Sequence, residues 1–330
     1  MKKLFALLLA LALVAAACGG DGTVETGGGG DATATTVAAS GDLETIRLVV
    51  NPWTASRLNA LVAKIIIEKE LGNPVELVDV NENDAMFTGL TDGDLDAVLE
   101  IWPSGVTEAE QSYFADGSAV NIGDLGTVGK IGWFVPSYVI DEHPELATWE
   151  GFKDPALSAL FATAETGDKG RFLGTDPSYS QYDEQIITNL DLPFQVQFSG
   201  SEPATVAEVE ARVTAGEPIV LYWWTPTAAV SMFDLVNVAL PAYTEECGAS
   251  AAAGDGGVDC DYPEDVIYKA ASGKLQAKDA AVFTFLSNFT ITTEDQLSML
   301  PPVEIDGDDP VAVAQEWVDE HESVWKVWLP

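Results

Sequence analysis

Short apolar runs alternate with helix-like segments in this chain, and the alternation limits the possible folds more than any other feature. Residues 46–50, 75–80 and 97–101 are rich in β-branched and aliphatic side chains, and the segments between them have apolar residues at helical spacing. This β-α-β-α-β order predicts a parallel sheet with right-handed crossovers. Ligands of such sheets bind at the carboxyl ends of the strands, and Trp53 and Trp102 lie at two of those ends.

A second set of strands and helices follows. The sequence predicts strands at 138–140, around Phe172 and at 218–223, and helix-like segments at 155–161 and 206–215. These elements predict a second α/β lobe.

The last part of the chain is predicted to return to the first lobe. It contains a strand at 266–270, a helix near 278–288 and a last helix opened by Asp309 and Pro310, which suit the cap and first-turn positions. Because the length exceeds that of a usual single core, we expect a two-lobed α/β fold in which each lobe is a mainly parallel sheet flanked by helices. The predicted boundaries are lobe 1 at 43–135, lobe 2 at 136–262 and the return to lobe 1 at 263–330.

The N-terminus has the pattern of an export signal. Lys2 and Lys3 precede an uncharged apolar run at 4–14, and small residues follow up to Cys18. We predict a signal peptide over 1–17 that is cleaved before Cys18. A cysteine at this place resembles the lipobox of bacterial lipoproteins, in which the thiol is acylated. An ordinary secretory signal with a chance cysteine is the alternative.

Residues 18–42 are predicted to form a flexible tether, because they contain Gly, Thr, Ala and a few acids but almost no large apolar side chain. No later stretch reaches the roughly 18 uninterrupted apolar residues of a membrane-spanning helix. The predicted location is therefore the extracytoplasmic face of the cell membrane, with the N-terminal lipid as the membrane anchor.

Composition excludes several classes of function. The chain has 15 Lys+Arg against 53 Asp+Glu, and this formal net charge of −38 argues against nucleic acid and anionic membrane surfaces as partners. Three cysteines and two histidines argue against zinc clusters and haem-type sites, so we expect neither a metal nor a cofactor. In an exported protein, Cys247 and Cys260 are expected to form a disulfide, with free thiols as the alternative.

Aromatic residues at strand ends are the main functional signal. Trp102, Tyr179 and Trp224 each follow an apparent strand and precede a proline or a turn. A quaternary ammonium group donates no hydrogen bond and is bound best by electron-rich ring faces; the alternative is that each ring packs in the core. Trp53 and Trp223 are further candidates, although strand alternation predicts that Trp223 points away from Trp224.

A second signal comes from the segment that follows Tyr179. We expect Ser180 to be the N-cap of a helix through Ile186 and Leu190, with Asp183 three residues after the cap. Free N–H groups at a helix start favour an anion. A capped helix without a binding role is the alternative.

Residues 43–330 resemble the glycine betaine/proline betaine substrate-binding proteins of ABC transporters. The Trp-Thr-Pro element at the end of a strand after Gly-x-Pro is the most specific of the shared motifs. The resemblance rests on Glu70-Leu71-Gly72, Gly89 to Asp94 before Trp102-Pro103, Lys153-Asp154-Pro155, Asp176-Pro177, Gly216-Glu217-Pro218 before Trp224-Thr225-Pro226, and Trp317.

The resemblance implies a type II periplasmic-binding-protein-like fold and a binding protein, not an enzyme. It implies that Trp102, Tyr179 and Trp224 form an aromatic cage for a trimethylammonium group, with loop amides at Ser180 and Gln181 holding the ligand carboxylate. It also implies that two lobes close on an osmoprotectant such as glycine betaine and that the closed protein docks on an ABC transporter permease.

One departure from the family concerns the ligand carboxylate. Some members have a His shortly after the first-lobe Trp-Pro, whereas this chain has Gly105 and Val106, so choline, carnitine or another cationic or zwitterionic solute is the alternative ligand. A cell-surface hydrolase with paired carboxylates is a second hypothesis, but the sequence has no Gly-x-Ser-x-Gly, His-Glu-x-x-His or phosphate loop. A third hypothesis, an adhesion or scaffold module, predicts no small ligand.

Overall fold

The computed structural model describes residues 43–81 and 83–330 of the chain. The predicted signal peptide (1–17), the predicted tether (18–42) and Cys18 lie outside the described residues.

The strands form where β-branched, aliphatic and aromatic side chains are concentrated. The first and third strands are found at the predicted bounds. Within the described residues the nine strands are β1 (Ile46–Val50), β2 (Val75–Asp79), β3 (Ala97–Ile101), β4 (Ala119–Pro136), β5 (Gly170–Gly174), β6 (Phe194–Phe198), β7 (Leu221–Thr225), β8 (Leu235–Val238) and β9 (Glu264–Ser272).

All nine described strands belong to one mixed sheet. Its order is β2-β1-β3-β9-β4-β7-β5-β6, and β8 pairs with β4. β1 is parallel to β2 and β3, and β5 is parallel to β6 and β7. The 18-residue strand β4 and strand β9 are antiparallel to their partners and connect these two parallel groups. The predicted α/β class is therefore confirmed.

Helices connect the strands and flank the sheet. In the described part of the chain the α-helices are α1 (Thr54–Ile66), α2 (Asn83–Asp92), α3 (Glu108–Ala115), α4 (Ser137–Glu142), α5 (Pro155–Ser158), α6 (Asp183–Asn189), α7 (Glu202–Ala215), α8 (Ala228–Met232), α9 (Glu245–Ala253), α10 (Leu275–Lys278), α11 (Ala280–Asn288), α12 (Thr293–Glu304), α13 (Pro310–Glu320) and α14 (Glu322–Trp325).

Local sequence explains where several helices begin and end. Thr107 and Glu110 form a capping box at the start of α3. Asp309 caps α13 as predicted, because its carboxylate accepts a hydrogen bond from the Val311 amide. α7 ends at Gly216, whose φ of 67° lies in the left-handed region that glycine adopts readily.

Residues 138–140 were predicted as a strand, and this prediction is wrong. They lie in α4, which begins directly after Pro136 at the end of β4. Proline has no N–H to continue a sheet, and three apolar residues are too few to distinguish a strand from a buried helix turn. The long strand β4 before them is the true sheet element.

Buried side chains form two large apolar clusters. The first cluster packs β1, β3, α1 and helices α11 to α13 together, and its aromatic members include Phe285, Phe289 and Trp317. The second cluster packs the end of β4 with β5, β7 and α6, and includes Trp133 and Phe172. Each cluster includes one of the two groups of parallel strands together with the helices that pack on it. Apolar burial therefore holds each group of strands to the helices beside it.

Cys247 in α9 and Cys260 before β9 form the predicted disulfide. Across residues 43–81 and 83–330, no helix is both long and apolar enough to cross a membrane. The same residues include no group of three His, Cys, Asp or Glu side chains placed to hold a metal ion.

Candidate ligand-binding site

A small cavity lies where the carboxyl ends of β1 and β3 face β7 and the loop after β5. Its volume is about 60 Å³. Its lining combines aromatic rings with a few polar groups. The aromatic residues are Trp53, Trp102, Tyr179, Tyr222 and Trp224, and the polar residues are Asn51, Asn81, Asn83, Glu100, Ser178 and Ser180.

Four aromatic rings from separate parts of the chain meet at this cavity, and we call Trp53, Trp102, Tyr179 and Trp224 the cavity rings. The centroids of Trp53 and Tyr179 are 5.6 Å apart with an interplanar angle of 90°. Those of Tyr179 and Trp224 are 5.7 Å apart at 79°. The structure thus brings the three predicted cage residues together and adds Trp53 to them.

Sheet topology explains why the first two rings are neighbours. β1 and β3 are adjacent and parallel, so their carboxyl ends lie at the same edge of the sheet, and Trp53 and Trp102 follow those ends closely. Both side chains are partly buried and pack against the first and the second apolar cluster. The rings therefore lie at the junction of the two clusters.

Trp224 lies inside a strand, although the sequence placed it just beyond one. β7 extends to Thr225 and pairs antiparallel with β4 through Trp224 and Ile131. The ring of Trp223 stacks on that of Trp224 with centroids 4.4 Å apart, so the expectation that the two rings point apart is wrong. Trp223 is 1% exposed, donates its indole N–H to Thr227 Oγ1 at 2.8 Å and does not line the cavity.

Glu100 is the polar centre of the cavity. Its Oε1 accepts hydrogen bonds from the indole N–H groups of Trp53 at 2.8 Å and Trp102 at 3.1 Å, and its Oε2 accepts one from Asn59 Nδ2 at 2.9 Å. Burial raises the pKa of Glu100 to about 7, although these hydrogen bonds act in the opposite direction. The carboxyl therefore orients two cavity rings and can change its charge near neutral pH.

Sequence reasoning missed Glu100 as a site residue. The available signal was a single acid in the otherwise apolar strand β3, since a buried carboxylate needs hydrogen-bond donors around it. Asn51, Asn81, Asn83 and Tyr222 were also missed. Asn51 and Asn81 lie in loops without a periodic pattern, whereas Asn83 begins α2 and Tyr222 lies within β7.

Two glycines permit close approaches around the cavity. A Cβ on Gly129 in β4 would lie 2.3 Å from Cζ3 of Trp102, so only glycine lets this ring lie against the strand. A Cβ on Gly105 would lie 2.5 Å from Oγ of Ser180. Gly105 is therefore packed against the Ser180 side chain.

The predicted N-cap role of Ser180 is wrong. α6 begins at Asp183, and its N-cap residue is Tyr182, which makes no side-chain cap. Asp183 is 1% exposed and accepts hydrogen bonds from Trp133 Nε1 at 2.6 Å and Tyr262 Oη at 3.2 Å. The acid is therefore buried beside the second cluster, and the helix begins only after Tyr182, whose φ of −113° and ψ of 10° are not helical.

Ser180 and Gln181 differ in where they lie. Ser180 lines the cavity, and its hydroxyl donates to the Gly105 carbonyl at 3.4 Å. The side chain of Gln181 does not line the cavity; its Nε2 donates to the Asp176 carbonyl at 2.6 Å and so closes the 176–181 loop. Tyr179 is tied across the cavity, because its hydroxyl donates to the Pro52 carbonyl at 2.6 Å.

The fold and the cavity are those of an α/β solute-binding protein with a candidate site at strand ends. The chain belongs to the family described as the substrate-binding domain of ABC-type glycine betaine transport systems, whose model matches residues 44–320. Members of this family are extracytoplasmic solute-binding proteins and not enzymes, so the hydrolase and scaffold hypotheses are wrong.

The chain is similar to proteins with related binding functions. A trimethylamine N-oxide-binding protein of Pelagibacter ubique (strain HTCC1062) is 26% identical over 284 residues, which cover 83% of this chain and 87% of the relative. A glycine/betaine/L-proline-binding protein of an ABC transporter from Borrelia burgdorferi superposes with a TM-score of 0.68 at 18% identity, covering 87% of this chain and 97% of that chain.

A choline-binding protein of an ABC transporter, in complex with choline, superposes with a TM-score of 0.66 at 19% identity, covering 86% of this chain and 91% of that chain. These structural likenesses show the fold, which is that of type II periplasmic binding proteins. The predicted fold is thereby confirmed.

Proposed function

We propose that this protein captures glycine betaine or a related small quaternary amine between its cavity rings. The observation that supports this most directly is the convergence of four ring faces from separate chain segments on one small cavity. The ring quadrupole attracts a methylated ammonium group to such faces. A quaternary ammonium group donates no hydrogen bond, so it loses none when water leaves the cavity. The names of the relatives include trimethylamine N-oxide, betaine and choline, which contain a trimethylated nitrogen, beside glycine and L-proline, which do not.

The charge of the lining supports a cationic group at this place. Among the described residues that line the cavity, Glu100 is the only ionisable acid and no Lys, Arg or His is present. An isolated anion would therefore meet a carboxyl group without a compensating cation. A zwitterion or a cation fits this lining when its ammonium group lies beside the cavity rings and Glu100.

Backbone amides of the 176–181 loop are candidates for the other end of a zwitterion. Within the described part of the chain, neither the Ser180 nor the Gln181 amide N–H donates a hydrogen bond to another protein group. A ligand carboxylate or N-oxide oxygen would supply the missing acceptor. Asn81 and Asn83 line the same cavity and add further donors.

Cavity size favours a compact solute. A buried water needs roughly 10–15 Å³ of cavity volume. The cavity volume of about 60 Å³ therefore accommodates a few waters or one small solute. Glycine betaine and choline fit this limit better than carnitine, whose chain is longer. Choline remains the alternative ligand because Glu100 suits a net cation.

A titration of intrinsic tryptophan fluorescence tests the ligand class. We expect glycine betaine or choline to quench the fluorescence with micromolar or tighter affinity and Trp224→Ala to abolish the response. Trp149→Ala is the matched control, because this ring packs against Lys153 and does not line the cavity. Absence of a response to trimethylamine N-oxide, glycine betaine, choline and carnitine would contradict the proposal, as would equal loss in both variants.

Ligand capture is proposed to close two lobes. The lobes are 43–135 together with 263–330, and 136–262. Two contacts join these segments at the cavity: Trp53 and Trp102 pack against both apolar clusters, and the Tyr179 hydroxyl donates to the Pro52 carbonyl. Closure over the ligand would exclude water and complete the cage.

We also propose that Cys18 is acylated, that the lipid alone anchors the protein to the membrane, and that the closed protein delivers its ligand to an ABC permease. The support is the sequence pattern before Cys18 and the family assignment. Cys18→Ser is expected to move the protein from the membrane fraction to the soluble fraction. Retention of the variant in the membrane fraction would contradict the lipid anchor.

A further inference from the structure

Two helices that begin beside the cavity are capped by distant glutamates. α1 starts at Thr54 directly after Trp53, and Trp53 gives it no side-chain cap. Glu202 supplies the cap, because its Oε2 accepts hydrogen bonds from the Thr54 amide at 2.8 Å and the Thr54 hydroxyl at 3.1 Å. These residues are 148 positions apart in the chain.

The second helix is α8, which starts at Ala228 shortly after Trp224. Thr227 precedes it but does not cap it, since the Thr227 hydroxyl accepts the indole N–H of Trp223 at 2.8 Å. Glu304, the last residue of α12, takes this role and accepts the Ala228 amide N–H at 2.9 Å.

The two caps run in opposite directions between the proposed lobes. Glu202 begins α7 of the 136–262 lobe, and it caps α1 of the other lobe. Glu304 ends α12, and it caps α8 of the 136–262 lobe, whose Ala228 packs in the first apolar cluster and whose Ala229 packs in the second. Each proposed lobe therefore caps the helix that follows a cavity ring of the other.

Both carboxyl groups are removed from water. Glu202 is 4% exposed, and Oε1 of Glu304 is buried without a hydrogen-bond partner in the described part of the chain. A buried carboxylate is tolerated only where donors compensate for lost hydration. Helix N–H groups are such donors, and their partial positive charge strengthens the bond. Separation of the lobes would return the two carboxyl groups and the helix N–H groups to water, where both can hydrogen-bond again. These contacts therefore favour the closed arrangement without making it irreversible.

We propose that Glu202 and Glu304 are positioning residues, which fix Trp53 and Trp224 against the ligand and set how long the closed protein retains it. The proposal rests on the proposed function, because retention is defined by ligand release. Trp53 directly precedes the helix start that Glu202 caps, and Trp224 lies four residues before the one that Glu304 caps. Loss of either cap would let one wall of the cavity move away from the other.

Stopped-flow fluorescence separates ligand release from ligand entry. For Glu202→Ala and Glu304→Ala we expect the dissociation rate constant of glycine betaine or choline to rise at least tenfold, while the association rate constant stays within about twofold. Glu202→Gln and Glu304→Gln are expected to recover part of the effect, because the amide oxygen still accepts a hydrogen bond. Glu210→Ala and Glu294→Ala are matched controls, since these glutamates are exposed on the same helices.

A purely structural cap gives a different result. If the dissociation rate constants of the alanine variants equal that of the wild type while their melting temperatures fall, the proposal is overturned. Failure of the wild type to bind any quaternary amine would refute the proposed function instead. In that case small-angle scattering without ligand decides: we expect the double variant Glu202→Ala/Glu304→Ala to have a larger radius of gyration than the wild type, and equal values overturn the proposal.

Discussion

Two groups of aromatic rings in this protein have similar spacing but different surroundings. The core rings, Phe285, Phe289, Trp317 and Trp328 of the first cluster, have neighbouring centroids 4.9–6.3 Å apart, whereas two pairs of cavity rings are 5.6 and 5.7 Å apart. The core rings are at most 3% exposed. Trp53, Trp102 and Tyr179 are partly exposed, and two of them donate to a buried carboxyl.

The difference teaches that ring spacing does not identify a binding site. Rings in the core interact with each other and satisfy packing alone. The cavity rings come from strands and loops far apart in the chain and line one cavity, and two of them, Trp53 and Trp102, donate to Glu100. Substitutions in the two groups should therefore affect different quantities.

The largest effect is expected from truncating a core ring. Phe289→Ala should lower the free energy of unfolding by about 3–5 kcal/mol, because it removes a fully buried ring and leaves a cavity. Ligand affinity of the folded fraction should stay within about twofold of the wild type. Urea unfolding and calorimetric titration measure the two quantities, and Phe289→Leu serves if the alanine variant does not fold.

Trp102→Ala is the counterpart in the cavity and should give the reverse pattern, with a large loss of affinity and a smaller loss of stability. If Phe289→Ala weakens ligand binding as much as Trp102→Ala does, the distinction between core rings and cavity rings is wrong.

The next effect concerns the close packing of the Trp102 ring against Gly129. Gly129→Ala should weaken ligand binding about ten- to hundredfold, equivalent to about 1.4–2.8 kcal/mol, because the added Cβ displaces the Trp102 ring. Gly132→Ala is the control on the same strand: its Cβ would meet the Asn237 amide instead. Equal affinities of the two variants would show that the position of Trp102 is not critical.

The chain's fold was largely predictable from sequence because local patterns coincide with the tertiary environment. β1 and β3 are short β-branched runs between turn residues, and their parallel order follows from the helices between them. β4 was not predictable, because glycines interrupt its apolar pattern and its partner β9 lies more than a hundred residues away. α12 contains Pro301 and Pro302, which disfavour a helix when only sequence is considered.

The site was predictable in part for the same reason. Strand ends locate Trp102 and Tyr179, since topology places such ends together. Glu100 was not predictable as a site residue, because its role depends on three donors that only the folded chain assembles. The predicted cap at Ser180 is wrong because the helix begins only at Asp183, after Tyr182, whose amide donates to the Tyr262 hydroxyl at 2.8 Å.

A smaller effect concerns the charge of Glu100. The folded ligand-free protein has this pKa at about 7 through burial, and a cation in the cavity favours the ionised form, so ligand binding releases a proton below that pH. Choline affinity should therefore increase as pH rises, by about tenfold between pH 6 and pH 8 for full coupling. Glu100→Gln should remove this dependence, as measured by calorimetry at both pH values. A wild-type affinity that falls with rising pH would contradict the assignment of Glu100.

The smallest effect isolates the hydroxyl of one cavity ring from its face. Tyr179→Phe retains the ring that contacts Trp53 and Trp224 but loses the hydrogen bond to the Pro52 carbonyl. A net hydrogen bond contributes about 0.5–1.5 kcal/mol, so affinity should fall about two- to tenfold, whereas Tyr179→Ala should lose far more. The loss in Tyr179→Phe should come from faster release, because the hydroxyl joins the two sides of the cavity only when they are in contact. Equal losses in the phenylalanine and alanine variants would mean that the ring face contributes nothing, and that the cavity rings differ from the core rings in position alone.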